Sequence, residues 1–426
     1  MNAAPSFRLR ALLERILPRG MAQLAGAGFA SQVISLAAVP LVARQAGPDA
    51  LGLLQGYLTV TTFAAVVACL RFEYALLQPA EEATAVRLVV LACLAAAATG
   101  VLTAAGLGVL AAVFDTPAWH ALAHLRWTVG GVIAISGASL TFTQWMIRHG
   151  QFDGIARARW IQSFCSAGAQ LTAAYAGWGG VGLVLGEAAS RLVGALVLYA
   201  ASGLARAPAR SDLSAGALAH TLREYRRFPL VSGSSSLVNA LGFSLPAFII
   251  ERYFGLAALG TYSVVERVAG LPTTLIGTPL SQTFAHRLRQ ALADSPRATT
   301  EALNGTLRLA CWLGFPAFAA LALAGPQLFA FAFGEGWHDA GRLARLLAVP
   351  YGIAYAVWPV MVTLTIVNRL RLQLLWDLTR TGAMLGVLAL AAHGYLGFDA
   401  VFSAIVWLIA AFGVLHYRLC LKYCRP

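Results

Sequence analysis

Three pairs of ionisable residues stand where the sequence is otherwise apolar. Glu187 and Arg191 lie four apart in GGVGLVLGEAASRLVGALVLYAAS, Glu266 and Arg267 are neighbours in TYSVVERVAGLP, and Asp377 and Arg380 lie three apart in LRLQLLWDLTRTGAMLGVLALAA. A charge at membrane depth costs about 2.5–3.5 kcal/mol on insertion scales unless it meets a partner or a wet cavity. An arginine there holds a planar fork that binds phosphate oxygens two at a time and cannot lose its proton. Arg191, Arg267 and Arg380 are therefore candidates for binding an anionic substrate. A carboxylate there can take up a proton or a cation, so Glu187, Glu266 and Asp377 are candidates for ion coupling. The plainer reading of each pair is mutual neutralisation that fixes a helix bundle. Residues three or four apart share a helix face, whereas neighbours point about 100° apart. Glu266 and Arg267 are thus expected to look to different partners.

The elements that must hold these charges follow from composition. With 59% hydrophobic and only 12% charged residues, and a mean hydropathy of +0.70, the 426-residue chain cannot cover a soluble surface. It reads as an all-α, polytopic membrane protein. A spanning helix needs about 20 mostly apolar residues, and runs of that kind fall at 21–43, 51–70, 87–113, 126–147, 157–177, 180–203, 228–250, 257–283, 305–324, 343–367, 372–392 and 397–418. The basic stretch before Met21 lacks a convincing cleavage site and reads as a retained anchor. If the N-terminus is cytoplasmic, the outer segments hold only Arg44, Arg126, Arg252, Arg342 and Arg345, and three arginines lie within spans. All other Lys and Arg then face the cytoplasm, which predicts that both termini are cytoplasmic. The net charge of +13 is explained by these loops against anionic lipid and gives no sign of nucleic-acid binding.

The longest gap between spans is basic, contains Pro208 and reads as a cytoplasmic linker. It divides the chain into a six-helix lobe over 1–204, a linker over 205–227 and a second six-helix lobe over 228–426. The halves repeat locally. Arg44–Gly52 reads RQAGPDALG and Arg252–Gly260 reads RYFGLAALG, so Arg, Gly, Ala, Leu and Gly recur at one offset near half the chain length. An even number of helices per half gives a parallel repeat, with its pseudo-two-fold along the membrane normal.

Further positions carry weaker signals. Arg71 and Glu73, in LRFEYALL, sit at the cytoplasmic end of the second span, where snorkelling is the simple explanation. Arg44 and Arg252 hold equivalent repeat positions at the outer mouth, where helix-end anchoring would suffice. Pro40, Pro246, Pro272, Pro279, Pro316 and Pro359 can kink their helices. His416, Cys420 and Cys424 share one helix face, but the outer two would be about 12 Å apart, too far for one metal ion. No metal site, no cofactor and no disulfide is expected. No Gly-rich loop ending in GKS or GKT provides for ATP hydrolysis.

The strings themselves carry a resemblance. SLAAVPLVARQAGPDALG, LRFEYALLQPAEEATA, RFPLVSGSSSLVNALGFSLPAFIIERYFGLAALGTYSVVERVAGLPTTLIG and FAFGEGWHDAG occur in this order. Together they resemble the polysaccharide-transport branch of the multidrug/oligosaccharidyl-lipid/polysaccharide superfamily, the Wzx-type repeat-unit flippases. The resemblance runs from about Met21 to the C-terminus. It implies twelve helices in two lobes around a central cationic cavity, and no enzyme activity. It also implies movement of an undecaprenyl-diphosphate-linked oligosaccharide from the cytoplasmic to the outer leaflet of the bacterial inner membrane. By position, Arg44, Arg71, Glu73, Arg267 and Trp337 match recurring polar or aromatic positions of that family. Arg191 and Arg380 rest on depth alone. The partners implied are the lipid-linked substrate, membrane lipids, and the polymerase and chain-length machinery of surface polysaccharide synthesis.

Two rivals stand beside this reading. A drug/cation antiporter of the same superfamily should carry acids deep in its first lobe, where Glu187 stands with Arg191 beside it. A polysaccharide polymerase or ligase should carry a sizeable outer loop with catalytic side chains, and the outer loops here are all short.

Overall fold

The computed structural model describes residues 19–206, 213–229 and 234–424. Arg8, Arg10, Arg15, Pro208, Arg210 and Arg425 lie outside the described residues. Every regular element among those described is a helix, as the bilayer demands of an open chain. Lipid offers the backbone no hydrogen bonds, and only a helix satisfies its N–H and C=O groups within one segment.

The helices, in chain order, are α1 (Arg19–Ala68), α2 (Phe72–Ala75), α3 (Glu82–Phe114), α4 (Pro117–His124), α5 (Arg126–Arg148), α6 (Phe152–Tyr175), α7 (Gly179–Ser202) and α8 (Ala215–Glu224). Then come α9 (Ser234–Pro272), α10 (Thr278–Asp294), α11 (Pro296–Phe333), α12 (His338–Val357), α13 (Thr363–Ile366), α14 (Leu370–Ala392) and α15 (Phe398–Cys424). Among the described residues, eight stretches are long and apolar enough to cross a membrane, and α4 with α5, bent by 69°, gives a ninth. The helix α1 is two helices joined across a kink at Gly47, and α9 is two joined at Gly255. The 24-residue α6 is also long enough, although Asp153, Arg157 and Arg159 in its first turns dilute its apolar character. Counted separately, these helices bring the described residues to about the twelve expected from the sequence.

Local chemistry sets the ends. Thr116, Ser214 and Ser295 each accept a hydrogen bond from the backbone N–H three residues on, starting α4, α8 and α11. Pro117 and Pro296 follow their caps at the position where a missing N–H does no harm. A π-helical turn, Thr273–Gly277, follows Pro272. The break at Ala324 sits two residues before Pro326, whose ring displaces the preceding turn.

The chain forms two compact units, 1–244 and 245–426. In the first, α3 packs on α5, α6 on α7, and α1 on α6 and α7. In the second, α11 packs on α12, α12 on α15, and α10 on α11. One device recurs in both. Gly100 of α3 meets Gly130 of α5 so closely that a Cβ on either would lie 2.3–2.5 Å from the other's carbonyl oxygen. Gly325 of α11 and Gly341 of α12 meet in the same way, at 2.6 Å from each side. Small residues let backbones approach where lipid provides no hydrophobic drive.

The stretch expected as a bare linker holds structure of its own. A 3₁₀ turn, Leu204–Arg206, is followed by α8, which packs on α3. Its ten residues are too few to span a bilayer.

Candidate functional site

In the first unit the charged pair of α7 is the centre of a polar knot. Arg191 Nε donates to Glu187 Oε1 at 3.0 Å, across one helical turn. The other carboxylate oxygen, Oε2, accepts from Ser166 Oγ at 2.7 Å and from Gln170 Nε2 at 3.1 Å, both on α6. Arg191 Nη1 reaches Ser136 Oγ of α5 at 3.2 Å. Tyr57, fully buried on α1, feels both charges. The knot thus draws on four helices. Glu187 has every oxygen engaged and its charge matched, so the pair is held in place by its own partners.

In the second unit Glu266 of α9 lies one turn on from Tyr262, whose hydroxyl acts on it. Arg267 beside it and Tyr351 of α12 act on it electrostatically. Glu266 keeps an exposed side chain, whereas Arg267 is half-buried. The pair on α14 is looser than that on α7. Arg380 Nη2 stands 3.7 Å from Asp377 Oδ1, and Gln373 Nε2 donates to Asp377 Oδ2 at 3.1 Å. A chain of contacts then crosses to α15. Gln373 Oε1 faces His416 Nε2 at 3.3 Å, and His416 Nδ1 faces Cys420 Sγ at 3.5 Å. His416 is fully buried, with the Trp376 ring edge-on at 5.4 Å. His416 and Cys420 are committed to this seam between α14 and α15.

A third group of charges gathers where the second span ends. Leu70 and Arg71 both take left-handed backbone (φ 50° and 64°), which turns the chain into α2. Arg71 Nη1 lies 3.7 Å from Glu73 Oε1, and its guanidinium stacks on Tyr74 at 5.3 Å. Glu73 is buried, and burial pushes its carboxyl above the ordinary range although Arg71 pulls the other way. Arg148 Nη1 donates to the Leu76 carbonyl at 2.8 Å, while Arg148 and His149 approach Glu82 at 3.8 and 3.0 Å.

The remaining sequence candidates fall elsewhere. Arg44 and Arg252 are exposed, each three residues before its kink glycine, and Arg252 stacks on Tyr253 at 5.7 Å. Trp337 is buried against Phe333, with ring centres 6.2 Å apart. The partners Ser136, Ser166, Gln170, Tyr262, Tyr351, Gln373 and His416 were not read as site residues from sequence. Their signal was faint. Ser166–Gln170 and Gln373–Asp377 are polar pairs four apart inside apolar runs, one helical step from a deep charge.

The family described as polysaccharide biosynthesis protein matches residues 41–342. The chain belongs to this family. Among curated relatives, the succinoglycan biosynthesis transport protein ExoT of Rhizobium meliloti (strain 1021) is 26% identical over 182 residues. That stretch is 43% of this chain and 36% of ExoT, so the chain spans little more than a third of the relative it matches. The fold has wider company. An inward-facing multidrug resistance MATE family transporter of the MOP superfamily superposes with a TM-score of 0.72 at 14% identity, over 92% of this chain and 94% of that one. The lipid II flippase MurJ, in an inward closed conformation, gives 0.72 at 11% identity, over 94% and 87%. The chain therefore has the fold of MOP-superfamily transporters, as its sequence strings implied.

Proposed function

We propose that this protein is a flippase that carries undecaprenyl-diphosphate-linked oligosaccharide repeat units across the bacterial inner membrane. It moves them from the cytoplasmic to the periplasmic leaflet, by alternating access, for surface polysaccharide synthesis. The observation that carries the reading is the family match over residues 41–342. The succinoglycan transport protein among its relatives and the lipid II flippase among its structural neighbours support it. Physical chemistry supports it too. A lipid diphosphate must take its negative charge through a low-dielectric region, and half-buried arginines such as Arg267 and Arg191 are suited to receive it. Arg380, Arg71 and Arg44 complete the proposed anion-binding set, with Glu187, Glu266 and Asp377 as the proposed coupling acids. The arginine distribution orients both termini to the cytoplasm. A polysaccharide polymerase and chain-length machinery would take up the product.

The multidrug transporter among the structural neighbours favours a second reading, drug/cation antiport. Glu187, the acid such a transporter would need in its first lobe, is neutralised by Arg191 at 3.0 Å. Removal of the protein from its host is expected to abolish surface polysaccharide while lipid-linked repeat units accumulate in the inner leaflet. Loss of those units would point instead to an assembly enzyme, and loss of dye-cation efflux with normal polysaccharide to the antiporter.

A further inference from the structure

The helix α11 is the barest of the long apolar stretches. Only 22% of its most apolar window is buried within the protein, and Trp312, Phe315, Leu323 and Phe331 are between 68% and 81% exposed. A helix so apolar and so uncovered faces lipid. On that side it carries a groove shared with α12, about 500 Å³ in volume, within the range of ligand-sized cavities. Its walls include Phe315, Phe318 and Tyr355, with Gly314, Ala319 and Gly352 among them where the two helices pack closely. A Cβ on Gly314 would lie 2.2 Å from the Tyr355 ring, and one on Gly352 would lie 3.3 Å from Phe318.

The groove has a length and a polarity. From Cys311 to Leu323 it covers about 18 Å of helix, close to the ~15 Å thickness of one leaflet's hydrocarbon. Arg308 lies on the same helix face as Phe315, Ala319 and Ala322, about one turn below Cys311, and is exposed. It lies one turn beyond the groove toward the start of α11, where an exposed arginine reaches the headgroup level.

We infer that the α11–α12 groove is a site for an anionic phospholipid, with one acyl chain along Phe315, Phe318 and Ala322 and the phosphate at Arg308. The mostly apolar walls suit an acyl chain, and the cation at the mouth selects a negative headgroup over a zwitterionic one. One leaflet's depth fits a phospholipid chain and is too short for a long polyprenyl chain. The orientation proposed above makes this an inner-leaflet lipid. The groove and its occupant are independent of the flippase reading, since neither uses the deep charged pairs.

The test uses the full chain reconstituted in phosphatidylcholine nanodiscs. These contain a small fraction of phosphatidylglycerol with a photoactivatable diazirine in its acyl chain, and adducts are mapped by peptide mass spectrometry. Labelling is expected to concentrate on peptides spanning Cys311–Leu323 and Ala348–Tyr355. Ala319→Phe with Ala322→Phe fills the groove and should remove these adducts while labelling elsewhere persists. Arg308→Gln should lower the preference for the phosphatidylglycerol probe over a matched phosphatidylcholine probe by about fivefold. Undiminished labelling of the filled variant, or equal labelling by both probes in the wild type, means annular lipid only and overturns the proposal. Displacement by unlabelled undecaprenyl phosphate at far lower concentration than by phosphatidylglycerol overturns the choice of occupant. Should the filled variant not fold, native mass spectrometry of delipidated wild type and Arg308→Gln decides. A retained phosphatidylglycerol adduct, weakened in the variant, is expected; none in the wild type refutes the site.

Discussion

Gly47 and Gly255 hold the same backbone conformation at equivalent places in the two halves of the chain. Gly47 has φ 75° and ψ 175°, and Gly255 has φ 80° and ψ −176°; each is the break within an otherwise continuous helix. This is a region of φ/ψ space that only glycine enters readily. The repeat written as RQAGPDALG and RYFGLAALG therefore marks a conformation used twice, with an exposed arginine three residues before it on both occasions.

Gly47→Ala and Gly255→Ala should each destabilise the protein by about 1–3 kcal/mol. An added Cβ meets nothing within 4 Å at either site, so the whole penalty is backbone strain. Gly216→Ala, in the first turn of α8 with equal space and ordinary φ, is the control and should be neutral or stabilising. Thermal unfolding in detergent reads all three, and equal midpoints would refute the assignment.

Arg191→Gln should lower abundance and thermal stability, because Glu187 would keep its charge with only Ser166 and Gln170 to hold it. Breaking a buried pair from one side costs about 3–5 kcal/mol, and the partial exposure here places the effect at or below the lower end. Glu187→Gln with Arg191→Gln should recover much of the loss. A double-mutant cycle is expected to give a coupling of about 1–3 kcal/mol; additive effects would mean that the pair is incidental.

Arg267→Gln should abolish export at near-normal membrane abundance, if Arg267 meets the diphosphate as proposed. It lies about ten residues into its span, or ~15 Å deep, near the midplane. Arg267→Lys should restore export only in part, because an ammonium lacks the planar fork. Low abundance of the Gln variant would instead make Arg267 a structural counter-charge. Normal export with normal abundance would remove it from the site.

Stability should fall as pH rises above the ordinary carboxyl value of Glu73. Burial raises this carboxyl in the folded protein, so the folded state binds the proton more tightly than the unfolded one. The contribution is fully present below about pH 4.5 and is lost as pH rises through the folded value. Glu73→Gln mimics the protonated group and should flatten this part of the pH–stability curve. An unchanged slope in the variant would assign it to other groups.

Much of this architecture was legible because membranes simplify the code. Long apolar runs announced the helices, and the four-residue step from Glu187 to Arg191 announced a contact that the structure places at 3.0 Å. What stayed hidden crosses between helices. Nothing in sequence ties Ser136 to Arg191, fifty-five positions on, because α5 and α7 meet through tertiary packing alone. Glu266 and Arg267 read from sequence as looking to different partners, but Tyr262 beside the acid stays hidden, since a tyrosine in an apolar run reads as core. The helix α8 was missed because a basic, proline-containing gap reads as linker, although Ser214 caps it and it packs on α3.

The polar knot also bears on how the chain enters the membrane in the first place. The helix α6 carries Asp153, Arg157, Arg159, Gln162, Ser166 and Gln170, a poor passenger for a translocon that tests segments one at a time. It is joined to α7 by a turn only a few residues long, around Gly177 and Gly179, and Ser166 and Gln170 are the very groups that satisfy Glu187. Each helix thus masks what the other could not expose to lipid. Insertion of this region is therefore expected to need both helices, so that α6 on its own should insert less well than α6 followed by α7.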